Sequence, residues 1–205
     1  MLSTSNITLN AVSPVIEPGN HTVKINSMVY NPAPYDQEVI IITFNLETMP
    51  IGNNFNGFLV DPNNTNGERY KGQVGRVKLN PYGFKTMKFA NGQEIQRDVE
   101  ILKYISIVAD ATNLRDKLDL IEAPNIFSFL DSCKSLFVNT AFFNACIGGK
   151  EYKNLQNYIN IDLHFPKLST KSLFMTKLDN SNVLQYDASK HLKKLVENKQ
   201  EEFEM

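Results

Sequence analysis

From Thr22 the chain alternates. Val23, Ile25, Ser27 and Val29 fall on one side and Lys24, Asn26, Met28 and Tyr30 on the other, the period-two pattern of a half-buried strand. Asn31-Pro-Ala-Pro-Tyr-Asp36 ends it, because its two prolines remove backbone donors. A second strand is expected over residues 38–46, whose block Val39-Ile-Ile-Ile42 is apolar on both faces and therefore central. A shorter strand over 55–60 leads into the turn-rich Asp61-Pro-Asn-Asn-Thr-Asn-Gly67.

Residues 70–88 carry the next strand. Strict alternation would set Val74 and Val77 on opposite faces, so a bulge near Gly75 is expected. It would gather Val74, Val77 and Leu79 on one face and Lys71, Gln73, Arg76 and Lys78 on the other.

Asn91-Gly-Gln-Glu94 has the spacing of a helix start, and Ile95, Val99, Leu102, Ile105 and Ala109 continue it to Asp110. A second helical piece over 114–122 stops at Pro124, and a third over 125–137 gathers Ile126, Phe129, Leu130, Cys133, Leu136 and Phe137 on one side. Strand character returns over 141–147, and Gly148-Gly149 reads as a turn. In 158–165, Ile159, Ile161, Leu163 and Phe165 point in while Asn160, Asp162 and His164 point out. An edge strand at 183–186 and a final helix capped by Asp187 complete the pattern, the helix with Leu192, Leu195 and Val196 inward.

Runs of strands interrupted by one helical block define a β-rich α+β chain, and the order fits an OB-type five-stranded barrel. Its helical insertion spans about residues 93–137, after the third strand, and a C-terminal helix follows the barrel. The expected organisation is an N-terminal arm (1–20), a single OB-like domain (21–196) and a mobile acidic tail (197–205).

Composition changes this picture little, but charge placement matters. The net charge of −1 excludes a protein held on nucleic acid by bulk charge, so a polyanion site must come from local asymmetry. Residues 67–89 hold six basic side chains against Glu68 alone, whereas 31–66 hold four acids and no base. The two cysteines, Cys133 and Cys146, are widely separated in apolar surroundings, which argues against a disulfide framework or a zinc site and for a reduced, intracellular chain. The start has neither a basic n-region nor an apolar h-region, and no apolar run reaches the roughly 18 residues that cross a bilayer, so secretion and membrane insertion are not expected.

Catalytic patterns are missing: no GxGxxG, P-loop, HExxH, CxxC or GxSxG occurs, and His21, His164 and His191 lie in separate elements. The expectation is a non-enzymatic chain without metal or cofactor. Cations interleaved with aromatics are the positive signal, because single-strand binders combine a basic groove with rings on which bases stack. Lys71, Arg76, Lys78, Lys85 and Lys88 are the candidate phosphate contacts, and Tyr82 and Phe84, in a Pro-Tyr-Gly-Phe turn, the candidate platforms. Lys24, Tyr30 and Tyr35 are secondary candidates, the tyrosines because they flank the proline loop that borders the groove of such a barrel. The competing reading is a β-rich structural or protein-interaction module in which the same strand is a solvated face.

His21-Thr-Val-Lys-Ile-Asn26, Phe55-Asn-Gly-Phe58, Lys71-Gly-Gln-Val-Gly-Arg-Val77, Gly149-Lys-Glu-Tyr152 and Tyr158-Ile-Asn-Ile-Asp-Leu163 together resemble the single-stranded DNA-binding proteins of tailed bacteriophages, most closely those of crAss-like phages. The resemblance covers about residues 20–187. It implies an OB fold that coats single-stranded DNA during replication and recombination in the cytoplasm of a bacterial host, as monomer or homodimer. It also implies an acidic tail, Glu201, Glu202, Phe203 and Glu204, that meets replication or recombination proteins. The chain departs from the wider family in having no Trp and in ending on Met205 where related tails often end on Phe.

Overall fold

The alternating run after Thr22 and the apolar block 39–42 become the two longest strands of a computed structural model that describes residues 15–153 and 159–166. Strands β1 (Gly19–Ala33) and β2 (Asp36–Thr48) form a hairpin. Next come β3 (Phe58–Leu59), β4 (Arg69–Tyr70), β5 (Val74–Lys78), β6 (Met87–Lys88) and β7 (Glu94–Ile95). Three helices follow, α1 (Arg97–Ala111), α2 (Arg115–Leu118) and α3 (Ile126–Leu136), and then β8 (Phe143–Lys153) and β9 (Ile159–His164).

Five of these strands close a mixed barrel in the order β1-β2-β5-β9-β8. Neighbours are antiparallel except β5 and β9, which run parallel and share the single pair Lys78↔His164. The result is a β-rich barrel with a few helices, consistent with the OB-like barrel expected from the order of elements. Inside it lie Val23, Ile25, Met28, Ile40, Ile42, Phe44, Leu46, Val77, Leu79, Leu163 and Phe165, joined by Ile101, Ile105 and Val108 of α1 and Leu130 and Cys133 of α3. Among the described residues no helix is long and apolar enough to cross a membrane.

The bulge expected near Gly75 is absent. β5 pairs with β2 in unbroken register from Thr43↔Lys78 to Glu47↔Val74, so Val74 stands on the outer face with Arg76 and Lys78, and Gly75 points inward with Val77. A side chain at Gly75 would meet Leu163 at 3.2 Å and Ile16 at 3.4 Å, so the empty position is filled from across the barrel. The register breaks instead between Ile25 and Ser27 of β1. The extra residue there, Asn26, reverses the alternation, burying Met28 and leaving Val29 exposed.

Other expectations give way for equally local reasons. Asn91-Gly92 turns the β6–β7 hairpin with Gly92 at φ +82°, and α1 begins only at Arg97. The second helical piece is one turn, and the strand expected over 55–60 shrinks to β3. Gly148-Gly149 is no turn: β8 runs straight through it, pairing with β1 up to Ile147 and with β9 from Gly148 onward. A side chain at Gly149 would lie 2.7 Å from Pro18 and 2.9 Å from Ile161, so glycine is required where the strand changes partner and the barrel closes.

Part of the segment expected as an arm is tightly held. Ile16 is fully buried, its N–H donates to the Val74 carbonyl at 3.3 Å, and Val15 bridges Val74 in parallel. These residues line the stretch of β5 that β9 leaves uncovered. The strand expected at 183–186, the terminal helix and the acidic tail lie outside the described residues.

Cys133 and Cys146 are both buried and free, and burial pushes their thiols up to about 12 and about 11. Native protein is therefore expected to resist a disulfide reagent such as DTNB, and both thiols to react after unfolding. Rapid titration of either thiol in the native state would contradict this packing.

Candidate nucleic-acid interface

Three strands present a polar outer face. Opposite pairs place Asn45 beside Arg76, Thr43 beside Lys78 and Glu47 beside Val74, while β1 adds Lys24, Ser27 and Val29. Asn26 joins this face because it is the bulged residue. Between these side chains lies an open cleft of about 240 Å³, whose lining includes Asn26, Asn45, Leu46, Tyr70, Val74 and Arg76. The Asn45 amide nitrogen donates to Ser27 Oγ at 2.5 Å. Arg76 is exposed, and no carboxylate among the described residues pairs with it.

Tyr70 reaches the cleft from a hairpin that leaves β2 and returns to β5. Phe58 pairs with Tyr70 and Leu59 with Arg69, the Phe55 and Phe58 rings meet at 4.8 Å, and the Arg69 guanidinium donates to the carbonyls of Gly57 and Thr65, each at 3.1 Å. The base of this hairpin is fastened by Glu47, only 5% exposed. Its carboxylate accepts from the backbone N–H of Lys71 at 2.9 Å and of Gly72 at 3.2 Å, from the Asn26 amide at 3.1 Å, and pairs with Lys24 Nζ at 3.1 Å. Burial works against ionisation, but the hydrogen bonds from Asn26, Lys24, Lys71 and Gly72 outweigh it and hold the carboxyl below its ordinary range. Gly72 has no room for a side chain, since a Cβ would lie 2.0 Å from the Thr48 carbonyl oxygen.

The expected phosphate contacts separate into free and spent cations. Arg76 and Lys85 are exposed and unpaired by any described carboxylate, and Lys71 Nζ donates only to the Asn56 carbonyl at 3.2 Å. Lys88 is exposed and lies 3.7 Å from Glu94. Lys24 is committed to Glu47, and Lys78 to Asp162 at 2.5 Å, so neither offers the unbalanced charge expected of it. His164 Nδ1 lies 3.3 Å from the Asp162 backbone oxygen, and burial lowers the proton affinity of the ring.

The aromatics divide in the same way. Phe84 is 2% exposed and meets Tyr104 edge-on at 5.2 Å, because its backbone continues the sheet by pairing with Ile40, so it fills the core and is not a platform. Tyr30 is a strut to α3. Its hydroxyl donates to Asp131 at 3.1 Å and its ring lies 6.2 Å from Phe127 under Lys134, the bulge at Asn26 having turned it from the outer face. Tyr82 and Tyr35 are open, 70% and 72% exposed. The Tyr35 hydroxyl donates to the Tyr82 carbonyl at 3.4 Å, and Lys150 Nζ stands 5.2 Å from the Tyr82 ring centre.

Tyr70, Asn26, Asn45, Glu47 and Lys150 were invisible as a group in the sequence. Only the register brings the first four together, and Lys150 sits in the Gly-Gly-Lys stretch that reads as a turn. Glu201, Glu202, Phe203 and Glu204 lie outside the described residues. Comparison with known proteins finds no matching family model, no matching curated protein and no matching solved structure.

Proposed function

We propose that this chain is a non-enzymatic single-stranded DNA-binding protein on an OB-type barrel, coating phage DNA in replication and recombination in the host cytoplasm with little sequence preference. The observation that carries the reading is the unneutralised Arg76 beside Tyr70 in an open cleft on the outer face of β2 and β5. OB barrels take oligonucleotides on the face of their second and third strands, here β2 and β5, and in the loops at its ends. The order of the barrel strands, the parallel closing pair and the helices between the third and fourth barrel strands support that class. The phage setting, and the role of residues 201–204 in meeting replication or recombination proteins, rest on the sequence resemblance.

Binding of this kind is salt-dependent because each neutralised phosphate releases counterion. With Lys71, Arg76, Lys85 and Lys150 engaged, log K is expected to fall against log salt with a slope of about −2.8, shallower than the −3.5 or so that five cations including Lys78 would produce. Fluorescence-anisotropy titrations with oligo(dT) and with duplex of the same length measure both slope and preference. A specific observation favours the interaction-module alternative, namely that Lys24 and Lys78 are already balanced by Glu47 and Asp162. That alternative predicts no oligo(dT) affinity at moderate salt, and such a result would replace the proposal.

A further inference from the structure

Among the described residues, two places on the barrel surface set a free cation beside a tyrosine ring. One group is the cleft, with Arg76, Tyr70 and Asn45. The other is the Tyr35–Tyr82 pair with Lys150 on the Tyr82 ring and Lys85 three residues further along the chain. Between them the outer face carries Thr43, exposed Val29, and Lys78 neutralised by Asp162. Among the described residues, neither an unbalanced cation nor a stacking ring lies there.

We infer that a single strand is gripped at two separate stations joined by a passive stretch, and that affinity therefore rises in a step once an oligonucleotide is long enough to reach both. This rests on the single-strand reading. Asn45 lies opposite Arg76, and Ile40 lies opposite Phe84, two residues past Tyr82. Five residues of antiparallel strand separate those rows, roughly 17 Å. A stacked strand with about 3.4 Å per nucleotide crosses that gap in about five intervals, and a drawn-out strand in fewer. Oligonucleotides of three or fewer nucleotides thus occupy one station, and those of about six or more occupy both. Once the first station is filled, the second binds intramolecularly at high effective concentration, and that gain vanishes when the linker cannot span. Because stacking accepts every base, the step is independent of sequence.

The test is an anisotropy length series, oligo(dT) of about two to twelve nucleotides, on wild type, Tyr82→Ala and Arg76→Ala, with oligo(rU) in parallel. Both side chains are exposed, and matched thermal melts check that the variants fold. Wild type should gain roughly ten- to a hundredfold between about three and six nucleotides, beyond the gradual statistical increase. Tyr82→Ala should abolish that step, its deficit growing with oligomer length, whereas Arg76→Ala should weaken every length. A step in one nucleic acid alone identifies which sugar the stations accept. A smooth rise in wild type, or a Tyr82→Ala deficit equal at all lengths, overturns the two-station arrangement while leaving single-strand binding standing. Absence of binding at every length overturns both.

Discussion

Glu47→Ala is expected to lower the unfolding free energy by about 3 kcal/mol, because it removes one carboxylate that serves four donors at a nearly sealed position. The backbone N–H groups of Lys71 and Gly72 lose their acceptor, and Asn26 and Lys24 lose their partner. Lys24 retains 28% of its side-chain surface and can turn to water, which keeps the cost at the lower end for a broken buried pair. The same change unfastens the hairpin that carries Tyr70, so single-strand affinity should fall with stability even though it removes an acidic group that would itself repel phosphate. An effect below about 1 kcal/mol by urea denaturation would show that the clamp is not stabilising.

The pH dependence has a definite sign. Glu47 is held below its ordinary value of 4.5, so its contribution is complete above that unfolded-state value and drains away as pH falls through the lower folded value. Wild type should therefore lose stability in acid, and Glu47→Gln should start lower at neutral pH and show a shallower acid decline. Denaturation midpoints across that range measure the difference between the two curves.

Phe44→Ala should cost about 4 kcal/mol. Phe44 is fully buried opposite Val77, and its ring meets Phe137 at 5.6 Å and Phe165 at 6.2 Å, both edge-on. These contacts tie β2 to the end of α3 and to the residue after β9. Truncation would open a cavity between barrel and helix with few flexible neighbours to fill it. For a chain of this length the melting temperature should drop by roughly 8 to 16 °C. A fall of under about 3 °C would mean that the three rings repack and that the barrel and α3 are not mutually dependent.

Local patterning carried far in this molecule. The period of β1 as far as Ile25 and that of β9, the doubly apolar block of β2 and the buried side of α3 follow from the spacing of hydrophobic residues. Asn125 caps α3 by accepting from the Ser128 N–H, a signal readable from the chain alone. The errors fall where two local meanings compete. Asn91-Gly-Gln-Glu94 suits a helix cap and a hairpin turn equally, and Gly148-Gly149 suits a turn and a crowded strand crossing. Pairing partners far away in sequence decided both, through Met87↔Ile95 and through Pro18 and Ile161 around Gly149.

The candidate site shows the same division. Composition alone picked out residues 70–88 as basic and aromatic, together with exposed Arg76 and Tyr82, because hydropathy and charge are properties of single residues. Which cation remains unbalanced is a property of pairs. Asp162 removed Lys78, Glu47 removed Lys24, and Phe84 turned inward because its backbone had a strand to complete at Ile40. The bulge at Asn26 set which side of β1 faces solvent, since one added residue inverts every side chain beyond it. The sequence by itself thus determined the longest strands, the helical block and the apolar sides of α3 and β9, through short-range periodicity. Register, charge pairing and the two separated groups of open residues were decided only when strands distant along the chain came to lie side by side.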